Sequence, residues 1–421
     1  MSFDIAIGVN QSQLNASCQA LMKAVPNLFG GQGTVTAFPG ITVSWQATQP
    51  PIFNLAPSAV AKQAIQKEFE KTDHPLAAEI LKTNSVESLA DQVPSFSINF
   101  PSLEISIAQA NEQATITLNI TLGCLLAVDN NVISFSVLNA QFQPLTDPVA
   151  NALVTYAIIP QLKASATAAL NGIAIPAPTM PGVSLSPISA AIVNGMIIAC
   201  TNISSNGPSS LPPTNFSWPS AGFFLLLGQN ALQAAVSSVA GSGKTFQGSS
   251  TQGSDWGEVH YGYTLNISAP TVQISNTNLL LNFGISGNLN AGLKVCYIPI
   301  GINYDISANP TPQATFSPQV TQSNSLNIVF ENINAFVFLL NPSGSAWEKI
   351  VSGITWPITQ AWAAIVEPLT SLFIKNIMIT AYDLPVYPVT IQGQKVSFIP
   401  SIQAIANCAG NLSFTGSLIV Q

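Results

Sequence analysis

The chain has 421 residues, with 11 lysines, no arginine, 18 carboxylates and a net charge of −7. Only 7% of residues are charged and 47% are apolar. That excludes an intrinsically disordered chain, and an acidic chain without arginine excludes nucleic acid as a partner. The five cysteines, Cys18, Cys124, Cys200, Cys296 and Cys408, include no C-x-x-C pair. Zinc and dithiol chemistry are therefore not expected, and the thiols read as buried apolar side chains. No cofactor or metal site is expected.

The opening M-S-F-D-I-A-I-G has no basic region followed by an apolar core. A classical signal peptide is not expected, and the chain is expected to be cytoplasmic or exported by a non-classical route. Residues 3–10 read as a strand leading into a helix, on which Leu14, Cys18, Leu21 and Val25 recur at helical spacing. Gln32 to Trp45 reads as strand and Pro50 to Pro57 as loop. Residues 62–91 hold ten of the 29 charged residues and a helical pattern, Ala61, Ile65, Phe69, Ala77, Ile80 and Leu81. This segment has no counterpart later in the chain and reads as an inserted, solvated helical region.

From Ser95 to Phe142 the sequence alternates with period two, as in S-F-S-I-N-F, L-E-I-S-I-A and A-T-I-T-L-N-I-T-L. Such strands bury one face each, as antiparallel sheets do. Val149, Leu153, Tyr156, Ala157 and Leu162 then predict a helix over 147–170, with a kink at Pro160. It is apolar almost all round, which predicts enclosure on most sides.

Val183 to Asn194, V-S-L-S-P-I-S-A-A-I-V-N, recurs as V-S-F-I-P-S-I-Q-A-I-A-N at Val396 to Asn407. Six of the twelve positions are identical at an offset of 213. Gln11/Gln229, Leu14/Leu232 and Ala16/Ala234 match at an offset of 218. Two collinear halves follow, 1–204 and 221–421, joined by a proline- and serine-rich linker at 205–220. The second half reads as a strand at Gly222 to Leu227, a helix carrying Leu232, Val236 and Val239, and strands from Tyr261 to Leu340. A long apolar helix at about 346–374 and closing strands complete it.

Each half thus runs strand, short helix, antiparallel strands, long apolar helix, proline-marked turn, closing strand. That order, twice in tandem, resembles the two-unit tubular lipid-binding (TULIP) superfamily, with the layout of bactericidal/permeability-increasing protein. The opening F-D-I-A-I-G-V-N-Q-S-Q-L-N and the insertion at 62–91 are similar to the clostridial toxin-cluster accessory branch and its OrfX relatives. The resemblance implies an α+β fold of two tandem units. In each, a curved antiparallel sheet wraps a long apolar helix, and the two meet end to end in a boomerang. It also implies an apolar groove for acyl chains. The low charge departs from a basic, lipopolysaccharide-binding tip.

Tempting chemical motifs dissolve on inspection. A-G-S-G-K-T at 240–245 lacks the first glycine of a P-loop, where Ser238 stands, and it follows a helix instead of preceding one. Gly241 and Gly243 read as a helix cap and turn, and no nucleotide is expected. His74 and His260 read as surface histidines, and no G-x-S-x-G nucleophile motif occurs. Trp347, Trp356 and Trp362 on the second long helix read either as core packing or as residues that line a ligand site or a membrane interface. The chain is therefore expected to be a non-enzymatic binder of a lipid or other apolar molecule, in a toxin context. Leu14, Leu21, Leu153, Ile158, Leu232, Val236, Ile354 and Trp362 are expected to line the grooves. The alternative is an insecticidal or toxin-accessory scaffold that assembles with a related protein and holds no ligand; membrane contact is left open.

Overall fold

The computed structural model describes residues 3–34, 40–63, 94–109, 112–129, 132–170, 173–174, 182–254, 257–295, 298–321, 325–343, 366, 379–384, 386–391 and 394–421. The inserted segment, from residue 64, and the expected second long helix, apart from Val366, lie outside the described residues.

The chain begins with β1 (Ile5–Asn10) and helix α1 (Gln11–Ala24). Then come β2 (Gly30–Thr34), β3 (Ile41–Ala47), β4 (Ile52–Asn54), β5 (Ser95–Gln109), β6 (Glu112–Asp129) and β7 (Val132–Phe142). A long helix follows in three parts: α2 (Pro148–Leu153), a π turn (Val154–Ile158) and α3 (Ile159–Leu170). β8 (Ile173–Ala174), β9 (Ser189–Val193) and β10 (Met196–Thr201) close the first half. β11 (Phe223–Leu227) and α4 (Gln229–Ala240) repeat the opening. After them run β12 (Gly243–Ser254), β13 (Gly257–Ser268), β14 (Thr271–Ser275), β15 (Asn278–Asn282) and β16 (Ile285–Val295). The rest are β17 (Ile298–Asn309), β18 (Gln313–Val320), β19 (Ser325–Ile333), β20 (Val337–Pro342), β21 (Ile379–Asp383), β22 (Tyr387–Ile391), β23 (Gln394–Cys408) and β24 (Asn411–Val420).

Four antiparallel sheets result. The central one has the order β22-β23-β24-β11-β1-β10-β9 and takes strands from both halves. β1 and β11 are neighbours in it, with Ile7 opposite Leu225. These two residues are equivalent at the repeat offset of 218, so the pairing is centred on a local two-fold axis. Both strands are buried on both faces. Ile5, Ile7, Phe223, Leu225 and Leu227 enter one core, while Phe3, Ala6, Phe224 and Leu226 enter another. That double burial is why F-F-L-L-L is a continuous apolar run rather than an alternating one. Gly8 leaves room for the ring opposite it, since a Cβ there would stand 2.2 Å from the Phe224 ring.

The duplicated motif ends each half in a hairpin. Asn194 (φ 50) and Gly195 (φ 72) join β9 to β10, and Ala409 (φ 50) and Gly410 (φ 82) join β23 to β24. Two consecutive left-handed residues are the two-residue turn that suits strand twist. The turns are equivalent at an offset of 215, not 213. Asn407 therefore stands ahead of its turn, accepting a hydrogen bond from Gly410 N at 3.0 Å.

A first-half sheet runs β2-β3-β5-β6-β7-β8, with β4 also on β5. The run expected as one strand from Gln32 to Trp45 thus holds parts of two paired strands, β2 and β3, and the expected loop at Pro50 to Pro57 holds the short β4. The two runs flanking Pro101 form one strand, β5. It is bent by a register shift between Phe100 and Leu103, and β6 has another between Gly123 and Cys124. Such bulges bend strands and increase their twist, curling the sheet. The remaining sheets are β12-β13-β16-β17-β20 and β14-β15-β18-β19-β21. The described chain is mostly sheet with few helices.

The linker is not a free tether. Phe216 and Trp218 pack with Phe3 and Phe224 against the central sheet, with ring centroids 4.6–5.7 Å apart.

Candidate functional site

The helix 148–170 starts where the sequence places it. Asp147 caps it, its Oδ1 accepting from Val149 N at 2.8 Å and Ala150 N at 3.3 Å. Pro148 occupies the first turn, where its missing N–H costs nothing. The π turn falls just before Pro160, which has no N–H to continue the ladder. Helix and curled sheet share one apolar core. The helix contributes Val154, Ala157, Ile158 and Leu162, and β5, β6 and β7 contribute Phe96, Ile98, Leu103, Ile105, Leu118, Ile120, Leu122 and Phe135 among others. Phe96 meets Phe135 edge-on at 5.4 Å.

Polar contacts from the helix lie at its edges. Gln161 Nε2 donates to Thr34 O at 2.7 Å, Lys163 Nζ donates to Leu138 O at 2.6 Å, and Thr167 Oγ1 accepts from Val137 N at 3.4 Å. The expectation of enclosure on most sides is corrected. Val149, Ala152, Thr155, Tyr156, Pro160 and Ala164 are exposed, so sheet covers one face only. A pattern of apolar residues sets what can be buried, not how many neighbours arrive to bury it.

The candidate groove residues divide among three cores. Ile158 is fully buried in the core just described, and Leu14 and Leu153 pack against it half-buried. Leu21 joins Leu28 and Val396. Leu232 and Val236 are fully buried beneath the central sheet, with Phe283, Phe316 and Phe414. Ile354 and Trp362, like Trp347 and Trp356, lie outside the described residues.

One polar cluster escapes sequence reasoning. Asp4 is only 5% exposed. Its Oδ2 accepts from Ile203 N at 2.9 Å and Asn206 Nδ2 at 2.8 Å, and its Oδ1 accepts from Asn230 Nδ2 at 3.0 Å. Three neutral donors thus satisfy a buried carboxylate at the start of α4 and tie the two halves together. The available signal was a lone acid inside the apolar run F-D-I-A-I; its partners, some 200 residues away, left none.

Burial pushes the Cys18, Cys124 and Cys200 thiols up to about 12, so they are poor nucleophiles. Cys408 is raised by the same cause. His74 lies outside the described residues. His260 is exposed, its Nδ1 within 2.8 Å of Thr251 Oγ1. Gly241 (φ 66) ends α4 and Gly243 (φ 105) opens β12, so A-G-S-G-K-T runs from helix to strand as the sequence reads. Among the described residues no cluster of His, Cys, Asp or Glu could hold a metal ion.

No protein-family model matches the chain, and no curated protein matches it. Solved structures do. The chain is similar to a lipopolysaccharide binding protein at 8% identity and a TM-score of 0.40, over 100% of this chain and 99% of that one. It is also similar to P47 of Clostridium botulinum E1 at 10% identity and 0.44, over 99% of each chain. P47 of Clostridium botulinum A2 aligns at 10% identity and 0.43, over 99% and 97%.

Proposed function

We propose that the protein binds a lipid or another apolar molecule between sheet and helix and catalyses no reaction. The observation that carries this reading is the interior beneath the 148–170 helix, where Val154, Ala157, Ile158 and Leu162 face a curled sheet of apolar side chains. Apolar burial at about 25 cal/mol per Å2 then supplies binding free energy without a charged anchor. In this reading the chain is two tandem units, 1–204 and 221–421, each a curled sheet packed on one face of a long helix, set end to end in a boomerang. The two-fold register at Ile7 and Leu225 supports the tandem plan. Leu14, Leu21, Leu153 and Ile158 serve the first groove, and Leu232, Val236, Ile354 and Trp362 the second.

Native mass spectrometry followed by organic extraction tests the reading. The expected result is bound mass that disappears on extraction and is recovered as fatty acid or phospholipid. Ala157→Trp should lower occupancy while leaving the melting temperature near that of the wild type. A ligand-free wild type, with Ala157→Trp losing about 1–3 kcal/mol of stability as an overpacked core does, sinks the proposal.

A second reading rests on an edge. Among the described residues β20 pairs with β17 alone in its sheet, and Val337 on it is 60% exposed. Such an edge suits strand addition by a related protein in a toxin-accessory assembly. A complex with that protein, lost in Val337→Lys while the extract holds no lipid, would favour it.

A further inference from the structure

We infer that the outer face of the 148–170 helix docks on a neutral, zwitterionic lipid surface, an inference that rests on the lipid-binding reading above. The helix carries two apolar stripes. The inner one, Val154, Ala157, Ile158 and Leu162, is buried. The outer one runs Val149, Ala152, Tyr156, Pro160 and Ala164, all exposed, with Val149 at 77% and Tyr156 at 79%. A single exposed apolar side chain needs no explanation. A surface helix whose outer face bears no charge does, because that face normally carries the charged residues.

From Pro148 to Leu162 no residue is charged. Lys163, the one cation in the helix, is tied to the sheet through Leu138 O. Thr155, whose Oγ1 donates to Asn151 O at 2.7 Å, is exposed beside the stripe, and the other exposed residues are apolar along about four turns, with Tyr156 supplying a ring that is apolar in body and polar at its tip. Tyrosine of this kind sits at boundaries between apolar and aqueous phases.

The occupant follows from charge. The chain carries −7 and has no arginine, so an anionic bilayer repels it, whereas a zwitterionic one offers apolar contact without repulsion. Among the described residues no helix is long and apolar enough to cross a membrane. The helix lies on the surface, as interfacial helices do. Ligand would then pass from the bilayer to the core directly beneath the same helix.

Flotation with phosphatidylcholine vesicles tests this on the full chain. The wild type should float with them, insensitive to salt, and less so when phosphatidylserine is added. The double variant Val149→Glu/Tyr156→Glu should lose about tenfold or more of the bound fraction, as expected for removing two apolar side chains from an interface. Leu211→Glu, an exposed leucine in the linker, should float like the wild type, and circular dichroism should show both variants folded. A wild type that stays unbound, or a double variant that floats like the wild type, overturns the inference. So does a wild-type dimer that the double variant converts to monomer without any vesicle binding, which would assign the stripe to a second copy. Extraction on the same samples separates the two proposals. Lipid in the extract without flotation defeats only the docking surface, and flotation without extractable lipid defeats only the internal ligand.

Discussion

Asn10 and Gly228 stand at the same place in the two halves, each preceding a helix. The backbone bond that crosses between halves is kept in both copies: Asn10 N donates to Gly222 O at 3.0 Å, and Gly228 N donates to Asp4 O at 2.7 Å. The side chains differ. Asn10 Oδ1 accepts from Gln13 N at 2.8 Å and so caps α1, while its Nδ2 reaches Ser220 O and Ala221 O. Gly228 has no side chain to cap α4; there Asp4, from the other half, binds Asn230 instead. The closing hairpins diverge in the same manner, Asn194-Gly195 against Ala409-Gly410. Backbone pairing preserves the symmetry, and side chains are free to drift wherever another element takes over their bonds.

Alkaline pH should separate the halves most strongly. Among the described residues, the thiols raised to about 12, Cys18, Cys124 and Cys200, lie in the first half. Their neutral form is favoured in the folded chain. Their stabilisation is complete below the unfolded value of 9.0 and is lost as pH rises from there towards about 12. The slope is about 1.4 kcal/mol per pH unit for each thiol. Urea melts at successive pH values above that point should show this steep fall, with first-half amides losing exchange protection before second-half ones; a flat profile would refute it.

Asp4→Ala should cost about 3 kcal/mol, because it strands the buried Ile203 N–H along with two amides. Chemical denaturation measures it, and a loss below about 1 kcal/mol would mean that the junction holds without its carboxylate. Asn10→Ala should cost about 1 kcal/mol, whereas Asn10→Gly, which copies the second half, should cost only a few tenths. Equal losses would show that glycine does not stand in for asparagine at this cap. One effect should be a gain. Ala409 holds a left-handed conformation that asparagine tolerates better, so Ala409→Asn should add about 0.5 kcal/mol. A lower melting temperature in that variant would mean that the second turn is not equivalent to the first.

The sequence made the repeating elements legible wherever spacing alone determines structure. The helix at 148–170 follows from Leu153, Ala157 and Leu162, and from Asp147 as its cap. β11 follows from F-F-L-L-L. Sequence pattern failed where neighbours decide. It could not show that Val149 and Tyr156 face outward, because an apolar residue looks the same whether or not something covers it. Nor could it show that Gln32 to Trp45 folds back on itself, or that β5 continues through Pro101 by way of a bulge. The Asp4 junction is assembled from residues 4, 203, 206 and 230, and no local window contains it.

The position of β1 also bears on synthesis. Its two neighbours in the central sheet are β10 and β11, so Ile5 must find Thr201 on one side and Leu227 on the other. At ribosomal rates of about 5–20 residues per second, the first strand waits on the order of tens of seconds before either edge can be covered. Through that interval F-D-I-A-I-G-V is a nascent, two-sided apolar strand. β1 cannot complete either of its pairings until strands about 200 residues further along the chain have been made.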